Sequence, residues 1–209
     1  MPDRPALDHL VLAAPDLDQA VAWFADITGV RPAPGGSHIG LGTANHLVGL
    51  GAGGYLEIIG PDPAQPDPDQ PRPFGIDALS RPRLVTWAVC TADLNAAVQR
   101  ARAAGYDPGD PLPMSRRTPD GHRLAWRLTP PRLDLGDGVV PFLIDWDTTP
   151  HPTTRELPLT PLLELSARHP DPAPVAHALA ALGVGVRLTA GEPAALTAVV
   201  QGRDRPVPL

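Results

Sequence analysis

The chain has 209 residues, 43% apolar and 19% charged, with a formal net charge of −6. That length can bury the core of one large domain or two small modules, and the acidic balance excludes a nucleic-acid binder, which needs a basic face. All 17 cationic side chains are arginines and Cys90 is the single cysteine, so lysine Schiff-base chemistry, an internal disulfide and a multi-cysteine zinc site are excluded as well.

The first apolar run, "LDHLVLAA" (7–14), carries a histidine in its middle. Asp16 follows as an N-cap, a side-chain oxygen for the orphan amides of a helix, with Gln19 three residues on as in a capping box. Ala20, Val21, Phe24 and Ile27 keep helical spacing up to a stop at Gly29. Strand-like runs come next at about 36–41, 45–51 and 54–60. The prolines of 61–82 read as loop, because proline lacks an N–H and fixes φ. A second apolar run at 84–90 precedes Asp93, then Leu94, Ala97, Val98 and Ala101 at helical spacing, then Gly105. Strands are expected near 112–117, 123–129 and 139–147. A third run from residue 162 leads to Asp171 with Pro172 at the first helical position. Val175, Leu179 and Leu182 follow, then Gly183, with strands near 185–190 and 195–201.

The pattern repeats. A shift of 77 residues lays "LDHLVLAAPDLDQAV" over "LVTWAVCTADLNAAV", and a further 78 brings Asp93 to Asp171. The expected architecture is α+β. It has a first βαβββ module (5–62), a proline-rich linker (63–82), a second βαβββ module (83–152) and a shorter β-α-β-β segment (153–209). Helices on one side of each sheet leave the other side free to curl, so two curled mixed sheets would enclose a cleft within one chain, as monomer or homodimer. The third segment would pack on an exposed sheet edge and protect it. No apolar run approaches the roughly 18 residues of a membrane span, so a cytoplasmic protein without a membrane partner is expected. There is no P-loop, GxGxxG or GxSxG motif.

"DHLVLAAPDLDQAVAWFADITG" (8–29) and "GLGAGGYLEIIGPDP" (49–63) resemble the vicinal oxygen chelate superfamily, which includes glyoxalase I, extradiol dioxygenases and bleomycin-resistance proteins. With "PFLIDWDTTPHP" (141–152) and "ARHPDP" (167–172), the chain is most similar to the glyoxalase-like branch. The resemblance implies metal ligands on the first and last strands of each module. Carried over, these are His9 and Glu57 in the first and Asp145 in the second. They would hold one divalent ion, Zn²⁺, Fe²⁺, Mn²⁺ or Ni²⁺, with Glu57 or Asp145 as catalytic carboxylate. Thr86, a poor ligand, stands where the repeat places the partner of His9.

Two functions follow from the resemblance. One is a metal-dependent lyase, isomerase or dioxygenase acting on a small oxygen-bearing substrate. The other is a metal-free binding or resistance-type sequestration protein with no cofactor. Asn45, Thr86, Trp126 and Trp146 are the candidate substrate contacts. Each candidate has a plainer reading: His9 a core histidine, Glu57 a solvent-facing residue of an alternating strand, Asp145 a turn aspartate at a strand end. Asn45 and His46 point to opposite faces of one strand, so at most one meets the cleft. Trp23 reads as core, Cys90 as a small buried residue, and His122, His151 and His169 as loop residues. Arg116–Arg117 read as a solvated pair, or as a clamp for a carboxylate at the mouth of the cleft.

Overall fold

The computed structural model describes residues 5–131 and 137–209. The first module is β1 (Ala6–Ala13), α1 (Leu17–Thr28), β2 (Ala33–His38), β3 (Thr43–Gly51) and β4 (Gly54–Pro61). The second is β5 (Arg83–Cys90), α2 (Leu94–Ala103), β6 (Leu112–Arg117), β7 (Arg123–Leu128) and β8 (Phe142–Asp145). The third is β9 (Leu162–His169), α3 (Pro172–Leu182), β10 (Arg187–Ala190), β11 (Ala195–Gln201) and β12 (Pro206–Pro208). Each helix starts where its aspartate caps it. Asp16 accepts from the Gln19 amide, Asp93 from that of Ala96 and Asp171 from that of Ala173. Gln19 departs from a capping box: its side chain donates to the Asp16 carboxylate at 2.8 Å rather than reaching back to the backbone.

The two curled sheets close into one eight-stranded barrel, in the order β1-β4-β3-β2-β6-β7-β8-β5. One seam is the antiparallel β1–β5 pair. The other is the short β2–β6 contact, Ser37 opposite Arg117. At that second seam Gly36 has φ 142°, and a Cβ there would lie 2.0 Å from the Arg117 carbonyl oxygen, so only glycine permits the approach.

Closure changes where the third unit sits. It meets no free barrel edge but packs face-on: Leu196, Ala198 and Val200 of β11 and Leu179 of α3 join the core that α1 and α2 make with the outer wall. A second core lies inside the barrel and includes Val11, Leu47, Ile59, Val85 and Phe142. Alternation along each strand divides the two. Leu10 and Leu12 of β1 face the helices, while His9 and Val11 face inward. Trp23 is 36% exposed rather than core, and Cys90 is half-buried.

Along the β1–β5 seam Leu10 pairs with Trp87, its own repeat-equivalent, so a pseudo-twofold axis passes through that pair. The register slips between Leu7 and His9, leaving Asp8 as the extra residue of a bulge. It slips again between Val11 and Leu12, leaving Val85, the residue 77 further on.

Candidate functional site

The barrel encloses a cavity of about 350 Å³. Four adjacent strands of the first module each send one polar side chain into it: His9 from β1, Glu57 from β4, Asn45 from β3 and His38 from β2. Arg116 of β6 continues the row across the short seam. Tyr55 stacks on His9, ring centroids 4.8 Å apart. The opposite wall is apolar, built on Met114, Trp126, Leu128, Phe142, Ile144 and Trp146, and Pro73 and Phe74 of the proline-rich segment complete it.

Asp8 explains how His9 is held. A regular strand would turn Asp8 away from His9; the bulge brings both to one side. His9 Nδ1 donates to Asp8 Oδ1 at 2.6 Å, which leaves Nε2 facing Glu57 Oε2 at 3.8 Å. Asp8 is fully buried, and its Oδ2 accepts from Trp146 Nε1 at 2.9 Å and from His151 Nε2 at 3.2 Å. The tautomer of His151 follows from its other nitrogen, Nδ1, which accepts from the Thr153 amide. Burial alone would push the Asp8 carboxyl up. The hydrogen bonds and charge of His151 and His9 outweigh it and hold the group well below the usual carboxylate range.

Glu57 is buried too. Its Oε1 accepts from Asn45 Nδ2 at 2.5 Å and lies 3.7 Å from His38 Nε2. Burial lowers the pKa of His38 and keeps it a neutral imidazole, with Nδ1 against the Thr43 hydroxyl at 3.1 Å. Burial, with the charges of Asp8 and Glu57, raises Tyr55 well above the ordinary phenol, so it stays protonated.

Of the sequence candidates, His9, Glu57, Asn45, Trp126 and Trp146 come together around the cavity. Asp145 does not join them. It follows the inward Ile144 on β8, and its Oδ1 accepts the Asp147 amide at 2.8 Å, the bond of a turn aspartate. Thr86 is buried opposite Val11, outside the cavity lining, and its hydroxyl has no partner. Register shows which residue matches Glu57. Val11 pairs with Glu57 and its equivalent Ala88 pairs with Phe142, so the second module offers Thr86 and Phe142 where the first has His9 and Glu57. Among the described residues no three His, Cys, Asp or Glu side chains are placed to hold a metal. The amide that Asn45 aims at Glu57 further suits an anion acceptor. The residues present therefore do not fit the chelate that the resemblance implies.

Two residues escaped the sequence reading, and two others were read only in part. Asp8 carried a signal, a second charge in the first apolar run. His38 carried little, lying in the glycine-rich "PGGSH". Arg116 is 3% exposed rather than solvated, and His151 bonds Asp8 rather than only holding a loop. His46 lies on the opposite face of β3 from Asn45, and Trp87 packs in the outer core with its Nε1–H on the Val139 carbonyl.

A duplicated βαβββ unit closed around a cavity, with its polar groups on the inner wall, defines a protein of the vicinal oxygen chelate class. Within that class the chain belongs to the glyoxalase-like domain family, whose model matches residues 7–183. A hypothetical protein from Staphylococcus aureus shares the fold with TM-score 0.59 and 11% identity, over 90% of this chain and 87% of that one. Methylmalonyl-CoA epimerase from Mycobacterium tuberculosis aligns with TM-score 0.42 and 19% identity, over 71% of this chain and 91% of that one. A Streptomyces coelicolor methylmalonyl-CoA epimerase in complex with 2-nitronate-propionyl-CoA gives 0.44 and 19%, over 70% and 99%. At such scores the epimerases say nothing of this chain's substrate. No curated protein matches the chain. Among the described residues no helix is long and apolar enough to cross a membrane.

Proposed function

We propose that the protein is an acid–base enzyme of the isomerase type, moving a proton at a carbon beside a carbonyl group of a small molecule held in the barrel. One observation carries this reading: a buried carboxylate, Asp8, fixes His9 so that Nε2 faces Glu57 across 3.8 Å at the cavity wall. Glu57 Oε2 accepts no hydrogen bond from the described residues, while Oε1 is held by Asn45. Oε2 is the proton acceptor. The proton passes on to His9 Nε2, and Asp8 stabilises the imidazolium through Nδ1–H, the logic of a carboxylate–histidine dyad. Return of the proton, from the same polar wall, to a neighbouring atom of the planar anion completes an isomerisation. The walls exclude water from that anion. No step needs a metal.

Sequestration of a ligand without chemistry is the second reading, and the aromatic wall of Trp126 and Trp146, ring centroids 5.0 Å apart, favours it. The two separate in D₂O. Compounds with a C–H next to a ketone or thioester are screened for binding, and binders are followed by proton NMR for loss of that C–H signal. Exchange is expected with the wild-type protein and, for a general base, about 10²–10⁴-fold slower with Glu57→Gln. Binders that never exchange would overturn proton transfer and leave sequestration.

A further inference from the structure

Arg116 has a buried charge and no counterion in contact among the described residues. Its Nη1 donates to the Gly35 carbonyl across the short seam. Among the described residues no carboxylate lies within salt-bridge distance of its guanidinium. A buried cation is costly unless paired, and a guanidinium with free N–H groups offers a fork that matches a carboxylate. A second donor waits nearby. Trp126 lines the same cavity, and its buried Nε1–H has no acceptor among the described residues.

We infer that the cavity takes its ligand as a monocarboxylate, the carboxylate on Arg116 with Trp126 Nε1 as a second donor, and an apolar body against Met114, Phe142 and Ile144. The inference deepens the proton-transfer reading and rests on it for what happens next to Glu57 once the ligand is held. Charge favours a monoanion. Among the described residues Arg116 is the single arginine lining the cavity, and a phosphate dianion would add its second charge beside Glu57 with no second cation among those residues to meet it. Size favours a small acid, because 350 Å³ is near the lower end of ligand pockets.

The test is calorimetric binding of benzoate, 3-phenylpropionate and hexanoate, each beside its uncharged primary amide. At least one acid is expected to bind tenfold or more tightly than its amide. Arg116→Met is expected to abolish that preference while still binding the amide, and Trp126→Phe, which keeps the ring and loses the donor, to reduce it severalfold. If Arg116→Met does not fold, Trp126→Phe and Arg116→Lys, which keeps the charge without the fork, carry the comparison. Equal binding of acid and amide, a preference that survives these changes, or no binding by any of the acids would overturn the inference. Glu57→Gln keeps the carboxylate preference even if it abolishes exchange. Arg116-dependent binding of the acids, together with ketone and thioester binders that never exchange, would therefore sink proton transfer alone.

Discussion

The two halves of the barrel are one repeat with opposite chemistry. The pseudo-twofold lays Asp8, His9 and Glu57 over Val85, Thr86 and Phe142. The pairing of the hairpin strands extends the match, Asn45 over Leu128 and His38 over Met114. Even the bulge recurs, yet at Asp8 it turns a carboxylate toward a histidine and at Val85 it adds one more methyl-bearing side chain to the inner core. The backbone is conserved within the molecule while the side chains divide the labour. The first half supplies proton-carrying groups, and the second a dry wall that makes them act strongly on a ligand.

The comparison can be broken at its sharpest contrast. Phe142→Glu would place a second carboxylate opposite Glu57 with neither an Asp8–His9 dyad nor an Asn45 amide to support it. Urea unfolding is expected to show a loss of about 4 kcal/mol, the scale for burying an unpaired polar or charged group. An unchanged midpoint would mean that the apolar wall is permissive rather than specialised.

Asp8→Ala tests the other side. Removing Asp8 leaves the buried donors of His9 and Trp146 without their acceptor, which costs about 3 kcal/mol, and exchange should fall with it because His9 loses its orientation. Acid titration adds a signature. The Asp8 pKa is depressed on folding, so its contribution is present above the carboxylate range of the unfolded chain and drains away as pH falls below it. Wild-type stability should therefore fall in acid more steeply than that of the Asp8→Ala variant, and parallel curves would discard Asp8 as the clamp.

Thr86→Val is a smaller effect of opposite sign. It removes a buried hydroxyl without a partner and should raise stability by about 1 kcal/mol in the same assay. A loss instead would show that the hydroxyl has a role. Asp145→Asn should change stability by no more than about 0.5 kcal/mol, as for a substitution away from the core, and leave exchange intact. Lost exchange would return Asp145 to the site.

The repeat, the three caps and most strands could be read from sequence, because helix starts and apolar periodicity are local signals. His9, Glu57 and Asn45 could be placed as well, through the resemblance to a family whose site lies on these strands, since a polar residue in an apolar strand alone leaves the plainer reading open. What could not be read depended on register. The resemblance places the second-module carboxylate at Asp145, but the parallel β5–β8 ladder selects Phe142, three residues earlier, and an odd shift exchanges the two faces of a strand. The Asp8–His9 dyad needs a bulge that alternation does not announce. Arg116 looked solvated because β6 carries no apolar alternation, and its burial comes from closure against β2.

The bonds from Trp146 and His151 to Asp8 span 138 and 143 positions of chain. During synthesis, His9, His38, Asn45 and Glu57 all emerge within the first third of the polypeptide, long before the two donors that hold Asp8. A nascent chain halted short of Trp146 thus carries every residue of the polar wall and lacks two of the three donors to its central carboxylate. The clamp on Asp8 is completed late, when the second half of the barrel closes on the first.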